Sequence, residues 1–310
     1  MAGTTNSSGA LPFVIFTLVV LALVALDIAF ALRRRGPLTT RAAAAWSLVW
    51  VGLALGFGLW LARSRGTDDA LAYLAAYLTE ESLSVDNMVV FVAVFTYFGI
   101  PTAYQPRVLL WGILGAIVLR GAMIALGVEL LDRVGWITYL FGAILLVAGL
   151  RTLRPRGATT ERGGGVLRLV ARVVPVTGEC RDAAFFRRGD GGHLSVTPML
   201  VALVVIEVSD VVFATDSLPA VFGITRDPFL VYTSNMLAVL GLRSLYFLVA
   251  GWLPRLRYLR YGLAAILVFV GGKMLAANVV VVPTTLSLGV IALAVGLSAA
   301  ASLLPATRRA

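Results

Sequence analysis

IEVSDVVFATDSLPAVF, the stretch from Ile206 to Phe222, decides how the rest of the sequence is interpreted. It is an apolar run of transmembrane character, yet it contains three acids and a proline, Pro219. An earlier stretch, TEESLSVDNMVVF at residues 79–91, carries three further acids in a similar setting. The acids of the two stretches are Glu80, Glu81, Asp86, Glu207, Asp210 and Asp216. A charged side chain at membrane depth costs at least about 2.5 kcal/mol, so two such segments indicate a polar site between them.

The composition is that of a polytopic membrane protein, because 59% of the 310 residues are hydrophobic and the mean hydropathy is +0.92. The net charge of +10 comes from arginines that lie mostly between apolar segments, so it indicates membrane topology rather than nucleic-acid binding. Cys180 and His193 are the only residues of their types, which excludes an intrachain disulfide, a thiolate metal cluster and a zinc enzyme with several imidazole ligands. The sequence has no phosphate-binding Walker loop and no nucleophile elbow. We therefore predict neither an enzyme nor a permanently bound cofactor.

The apolar pattern predicts an all-α polytopic membrane protein with about nine transmembrane helices. Arginines concentrate in alternate loops, so the positive-inside rule places the N-terminus outside and the C-terminus in the cytoplasm of a bacterial plasma membrane. The predicted parts are two helices in 1–70, three helices in 71–153, a flexible basic loop at 154–197, three helices in 198–278, and a last helix with a short tail in 279–310.

Spans three to five resemble spans six to eight in the spacing of their marker residues. Glu80 aligns with Asp210, and Asp86 aligns with Asp216, six residues later in both stretches. The other matches are Leu119–Arg120 with Leu242–Arg243, and Tyr139, Ala143, Gly149 and Arg151 with Tyr261, Ala265, Gly271 and Lys273. Because each unit has an odd number of helices, the two units would cross the membrane in opposite directions. This 3+3 inverted repeat is common in secondary transporters, whose substrate sites lie near the midplane between the repeats.

The polar residues of the two acidic stretches offer only oxygen ligands. Carboxylate, amide and hydroxyl oxygens suit hard divalent cations such as Mn²⁺, Mg²⁺ or Ca²⁺, whereas Cu⁺ and Zn²⁺ favour sulfur or imidazole. Residues six apart on a regular helix point about 240° away from one another, so we expect the third and sixth helices to be broken or bent, helped by Pro219. The candidate metal ligands are Glu80, Asp86, Asn87, Asp210, Asp216 and, as an addition, Glu207.

Three basic residues, Arg120, Arg243 and Lys273, lie within apolar spans. Their side chains would either extend to the membrane interface or pair with the acids when no ion is bound. In the second case an internal cation would compete with the ion, which would connect loading and release to a conformational change. Asp27, near the end of the first span, is interpreted as an interfacial residue.

Three blocks of the sequence resemble the TerC family of integral membrane proteins, which is associated with tellurium resistance. The blocks are EESLSVDNMVVF at 80–91, IEVSDVVFATDSLPAVFGITRDPF at 206–229 and TSNMLAVLGLRSLYFLV at 233–249. The resemblance implies a polytopic transporter, with members that look like manganese exporters. It also implies that the family's acidic positions correspond to Glu80, Asp86, Asp210 and Asp216, and that the asparagine after its first aspartate corresponds to Asn87. A carboxylate site would repel an oxyanion such as tellurite, so tellurium resistance is expected to be an indirect phenotype.

The sequence therefore favours an exporter of Mn²⁺ or a similar divalent ion, with proton exchange as the simplest coupling. Two other functions remain open. One is a membrane scaffold in tellurite or metal stress resistance whose basic loop at 154–197 docks partner proteins or anionic lipid. The other is an amino-acid exporter built on a related fold.

Overall fold

The computed structural model describes residues 7–33, 39–133, 136–153, 184–188, 194–250, 258–276, 279–280 and 282–303. Within these residues the chain forms nine helices and one short antiparallel hairpin. The helices are α1 (Ser7–Arg33), α2 (Thr40–Ser64), α3 (Thr67–Tyr97), α4 (Gln105–Arg133), α5 (Ile137–Leu153), α6 (Pro198–Phe222), α7 (Pro228–Val249), α8 (Leu259–Leu275) and α9 (Thr284–Leu303). The predicted helical architecture is thus confirmed for the part of the chain that is described.

Local sequence signals explain several helix boundaries. The Asp227 carboxylate accepts hydrogen bonds from the backbone N–H groups of Phe229 (2.8 Å) and Leu230 (3.2 Å), and Pro228 occupies the first position of α7. Gly66, between α2 and α3, has a φ of 106°, a conformation that favours glycine and allows the chain to reverse within two residues.

Five helices contain segments long and apolar enough to cross a membrane: Leu11–Phe30, Thr40–Ser64, Gln105–Leu131, Pro198–Phe222 and Thr285–Ser302. Two shorter apolar segments, Thr138–Leu153 and Tyr261–Leu275, belong to α5 and α8. Neither α3 nor α7 meets the same measure of apolarity among the described residues. Both carry polar side chains inside the bundle, which lowers their average hydropathy without exposing those groups to lipid.

The central position in the bundle belongs to α3, which packs against α2, α6, α7 and α9. Helices α4 and α6 also pack together, as do α4 and α7. Large apolar side chains on the outer helices are exposed, for example Leu48, Leu126 and Leu297. A bilayer would cover these surfaces, so the apolar exterior agrees with an integral membrane protein.

The closest helix pair is α5 with α8, and it depends on glycine. A Cβ atom placed on Gly271 would lie 2.8 Å from the carbonyl oxygen of Gly142 and 2.8 Å from the backbone nitrogen of Leu146. On the other helix, a Cβ atom on Gly149 would lie 3.0 Å from the carbonyl oxygen of Ala264. Any larger residue would push the two backbones apart, as at the small-residue contacts common between membrane helices.

The third and sixth helices were predicted to be broken or bent, and the predicted break is wrong, because α3 and α6 are continuous α-helices through both acidic stretches. Pro219 lies in the last turn of α6, where its missing N–H removes a single bond, and Gly223 N–H still bonds to the Pro219 carbonyl at 2.9 Å. The hydroxyl of Ser82 bonds to a carbonyl one turn earlier within the intact helix, rather than to a freed backbone group.

Part of the segment predicted as a flexible basic linker is ordered. Strands β1 (Phe186–Arg188) and β2 (Leu194–Val196) pair antiparallel, directly before α6. The ring of Phe185 makes an edge contact with Trp111 of α4, and Arg107 lies over the same ring. This end of the loop is therefore attached to α4, whereas Cys180 and His193 lie outside the described residues.

Candidate functional site

The centre of the site is Arg120 of α4, whose side chain is only 1% exposed. Its Nε and Nη2 donate to the two carboxylate oxygens of Asp210 on α6, at 2.9 and 2.8 Å, in a bidentate pair. Its Nη1 donates to Glu80 on α3 and to the amide oxygen of Asn235 on α7, the latter at 3.2 Å. One arginine thus connects four helices inside the bundle.

The sequence of α4 explains why this arginine is inside. Ile113, Ala116 and Ile124 are buried, and with Arg120 they share one helix face at spacings of three and four residues. The side chain therefore leaves the helix toward α3 and α6 and cannot extend to the membrane interface. Arg120 was expected either to extend to the membrane interface or to pair with the acids, and the structure shows the pairing.

Polar residues form a stripe on each of the two acidic helices. On α3, Glu80, Ser84 and Asn87 are buried at positions i, i+4 and i+7, which lie on one face of a regular helix. On α6, Asp210 and Ser217 are buried seven residues apart and so share a face. The helices therefore present polar groups at ordinary helical spacing, and no distortion is needed to assemble them.

Several atoms of this region are buried and make no hydrogen bond within the described part of the chain. They are Glu80 Oε2, Glu207 Oε2, Ser84 Oγ, Ser217 Oγ and Asn235 Nδ2. Buried polar atoms are almost always paired, and an unpaired one is costly. Water, a proton or a bound cation would satisfy such atoms, and all but the amide nitrogen are oxygens that could ligate a hard cation.

Glu207 extends the site along α6, one turn before Asp210. Its carboxylate lies against α4 at Gly115, where a Cβ atom would overlap it. Next to it is a cavity of about 20 Å³, roughly the room for one water molecule. Its wall is almost entirely apolar and includes Phe91 and Leu109, although Glu207, Asp210 and Arg243 are also among the lining residues.

The remaining predicted site residues do not all join the Arg120 cluster in the described structure. Asp86 and Asp216 belong to the continuous helices α3 and α6, but their side chains lie outside the described residues. Arg243 lines the small cavity, yet it pairs with Asp27 of α1 rather than with Glu80 or Asp210. Lys273 donates to the Ser287 hydroxyl at 3.1 Å and meets no acid in the described structure.

The interpretation of Asp27 as an interfacial residue is wrong, since it is buried and paired with Arg243. Isolated charges of opposite sign in two apolar spans are the signal that could have suggested this pair. Sequence reasoning also left Glu81 without a role. Its Oε1 accepts a hydrogen bond from Tyr77 Oη at 2.8 Å, and the Tyr77 ring stacks on Tyr73.

Among the side chains that the structure describes, no three acids, cysteines or histidines are arranged to hold a metal ion. Glu80 and Asp210, the two acids that come together, are both bound to Arg120. The full set of six metal ligands, which includes Asp86 and Asp216, therefore stays a prediction.

Comparison with known proteins finds relatives over most of the chain. Residues 65–310 match the model of the integral membrane protein TerC family. A Myxococcus xanthus protein named "Uncharacterized membrane protein STKORF319" is 43% identical over 290 residues, which cover 93% of this chain and 91% of the relative. No solved structure gives a significant match.

Two further relatives carry more informative names. The Escherichia coli protein Alx, whose name proposes a membrane-bound redox modulator, is 44% identical over 288 residues that cover 89% of each chain. The thylakoid membrane protein TERC of Arabidopsis thaliana is 42% identical over 245 residues, which cover 78% of this chain and 64% of the relative.

Proposed function

Because this chain belongs to the TerC family of integral membrane proteins, we propose that it is a multi-pass transporter that exports a hard divalent cation, with Mn²⁺ as the first candidate. The ion would leave the bacterial cytoplasm through the polar region between α3, α4, α6 and α7. The observation that carries the proposal is the buried cluster of Arg120 with Glu80, Asp210 and Asn235.

The balance of charge supports a cationic substrate. Helices α3 and α6 bring Glu80, Asp210 and the half-buried Glu207 into the bundle, and in the described part of the chain Glu80 and Asp210 share one cation, Arg120. Asp86 and Asp216 lie on the same two helices. An excess of carboxylates away from water is costly unless protons or a bound cation offset it. A site of this kind attracts cations and repels oxyanions.

The donor atoms support a hard divalent ion. The groups left unpaired around the cluster are carboxylate and hydroxyl oxygens, together with one amide nitrogen. Oxygen sites suit Mn²⁺, Mg²⁺ and Ca²⁺, whose relative affinities depend on ligand number and cavity size. The name of the Escherichia coli relative proposes redox modulation, but a chain with one cysteine cannot form an intrachain dithiol pair.

We further propose that α3–α5 and α6–α8 form the inverted repeat. In such a repeat α3, α4 and α5 correspond to α6, α7 and α8. The contact of α3 with α7 then corresponds to the contact of α6 with α4, and both contacts are present. The α5–α8 crossing shows the same correspondence. Gly271 lies against the carbonyl of Gly142, and its repeat counterpart Gly149 lies against the carbonyl of Ala264. A site between such repeats can open to either side by rocking one unit against the other.

Coupling to protons follows from the chemistry of the carboxylates. Protonation removes the negative charge that holds a divalent ion, so an inward proton gradient would drive export by exchange. This step involves the site acids alone and requires no additional cofactor.

The decisive experiment measures Mn²⁺ flux into liposomes that contain the purified protein, with and without a pH gradient. Asp210→Asn should reduce the flux about tenfold or more, the size of effect typical for removing groups that support a metal site. Glu129→Gln is the matched control, because Glu129 lies on the exposed surface of α4 and pairs only with Arg133 in the described structure.

The proposal would be wrong if wild-type vesicles moved Mn²⁺ no faster than empty ones, or if Asp210→Asn and Glu129→Gln behaved alike. Flux that does not depend on the pH gradient would rule out proton coupling but would leave the proposed export in place. Transport of an amino acid in place of Mn²⁺ would identify the chain as the other kind of exporter. A deletion within 154–183 that abolishes stress resistance while flux stays intact would favour a scaffold.

A further inference from the structure

We propose that a cavity at one end of the bundle, lined by Arg226 and Lys273, is a binding site for a phosphate group with net negative charge, as in an anionic phospholipid or a free phosphate ion. The cavity has a volume of about 210 Å³. It lies where α6 and α8 end and α5 and α9 begin, and Thr138, Thr225 and Gly223 complete its polar side. This site is separate from the proposed transport site and does not depend on it.

The charge of the cavity is the first argument. Two cations line it, and no acid is among the described residues of its wall. Asp227, the neighbour of Arg226, is already engaged, because it pairs with Arg65 at 3.2 Å and accepts hydrogen bonds at the start of α7. Two like charges beside one cavity repel each other, and a bound anion would offset that repulsion.

The free donors are the second argument. Arg226 Nη2 donates to the Thr138 hydroxyl at 3.0 Å, and Lys273 Nζ donates to the Ser287 hydroxyl at 3.1 Å. Both acceptors are neutral and orient the side chains without compensating their charge. Arginine has five N–H donors and lysine three, so each keeps donors for a ligand.

The shape of the group follows from these donors. A guanidinium fork pairs with two oxygens of a phosphate, and a lysine adds a point charge beside it. The remaining wall is apolar and includes Phe222, Met274 and Val282. A polar end beside an apolar side suits an anionic phospholipid headgroup, and the ends of the membrane helices are where such headgroups lie. A free phosphate ion would use the same donors without the apolar wall.

The position separates this cavity from the transport site. Arg133 ends α4 shortly before α5 begins beside the cavity, and Arg120 lies thirteen residues earlier on the same helix. At 1.5 Å per residue this is roughly 20 Å of helix. A bound phosphate would therefore not compete with a cation at the Arg120 cluster, and it would instead hold together the ends of α5, α6, α8 and α9.

The test uses the full chain in a mild detergent and three probes: phosphatidylglycerol, phosphatidylcholine and inorganic phosphate. Binding is measured by native mass spectrometry and by the shift in thermal unfolding. Phosphatidylglycerol should bind to the wild type, and Arg226→Gln with Lys273→Gln should weaken it about tenfold or more, as expected for the loss of hydrogen bonds to a charged group. Arg133→Gln is the control, since its side chain at the same end is 76% exposed and pairs with Glu129.

The three probes distinguish a lipid headgroup from a free phosphate ion as the ligand. Binding of phosphatidylglycerol that inorganic phosphate does not displace identifies a lipid site, and displacement at low concentration identifies a free-anion site. Equal binding by the double variant and the wild type would overturn the proposal, as would equal affinity for phosphatidylcholine. Arg226→Gln alone, at an exposed position, serves if the double variant does not fold, and Arg226→Lys with Lys273→Arg should retain binding.

Discussion

At the scale of single residues, the molecule depends on how Arg120 is satisfied. A buried guanidinium is tolerated only where several acceptors surround it, and here Glu80, Asp210 and Asn235 do so from three different helices. The arginine has two roles in this arrangement. It connects the helices, and under the proposed transport function it would compete with a cation for the same acids.

Arg120→Gln should destabilise the protein by about 3–5 kcal/mol, because it leaves Glu80 and Asp210 buried without a cationic partner. The measurement is unfolding of the purified protein in mixed detergent micelles. Arg133→Gln should change stability by less than about 1 kcal/mol, since it breaks only an exposed pair with Glu129. Similar losses for the two variants would show that the buried cluster contributes no more than a surface ion pair.

Gly115 and Gly112 provide a second comparison at this scale. A Cβ atom on Gly115 would overlap the Glu207 carboxylate, whereas on Gly112 it would approach Ile206 Cγ2 at an ordinary 3.6 Å. Because the end of a glutamate side chain moves easily, Gly115→Ala should fold normally but displace the carboxylate. We expect reduced Mn²⁺ flux for Gly115→Ala and unchanged flux for Gly112→Ala. Equal flux in both variants would mean that the position of Glu207 is unimportant for transport.

At the scale of elements, the two acidic helices α3 and α6 are continuous, and the site forms where they pack against α4 and α7. Helix α3 contributes the stripe of Glu80, Ser84 and Asn87, and α4 and α7 bring Arg120 and Asn235 to it. Helix α1 is joined to α7 by the buried pair of Asp27 and Arg243. In the proposed repeat Arg243 is the counterpart of Arg120, but it pairs with Asp27 of α1 rather than with Glu80 or Asp210.

The α5–α8 pair gives a prediction at the element scale. Gly271→Ala should destabilise the protein by about 1–3 kcal/mol, because its Cβ would press against backbone atoms of Gly142 and Leu146 that cannot rotate away. Gly272→Ala is the adjacent control. No atom lies within 4 Å of its added Cβ, so it should be neutral or stabilising by up to about 1 kcal/mol. Thermal unfolding in detergent separates the two, and equal midpoints would contradict the close crossing.

At the scale of the whole molecule, many large apolar side chains face outward, and a few charged residues such as Arg120, Glu80 and Asp210 are buried among apolar ones. The multi-pass membrane character follows from this arrangement and from the family. The direction of the chain in the membrane rests on the distribution of arginines, and it is the prediction that remains to be tested at this scale.

Cysteine labelling tests that direction. After Cys180→Ser the chain has no cysteine, and Thr67→Cys and Thr102→Cys then place one exposed thiol beyond each end of the α3 core. With the N-terminus outside, an impermeant maleimide should label intact cells at position 67, and at position 102 only after permeabilisation. The opposite pattern would show that the topology inferred from the arginines is inverted, with the N-terminus in the cytoplasm.

The sequence by itself determined the helices of the described chain, the two acidic stretches and the family resemblance. It also placed three basic residues, Arg120, Arg243 and Lys273, inside apolar spans. Local propensity and hydropathy suffice for these features, because each depends on residues close together in the chain. The sequence did not predict that α3 and α6 are continuous, because acids six residues apart on one helix were expected to converge on the same site.

Only the tertiary structure decided which charges meet. Arg120 and Arg243 are equivalent in the sequence pattern, yet one binds Glu80 and Asp210 while the other binds Asp27. The physical reason is that the partner of a buried charge is chosen by how neighbouring helices pack, and those helices lie 40, 90 and 216 residues away along the chain.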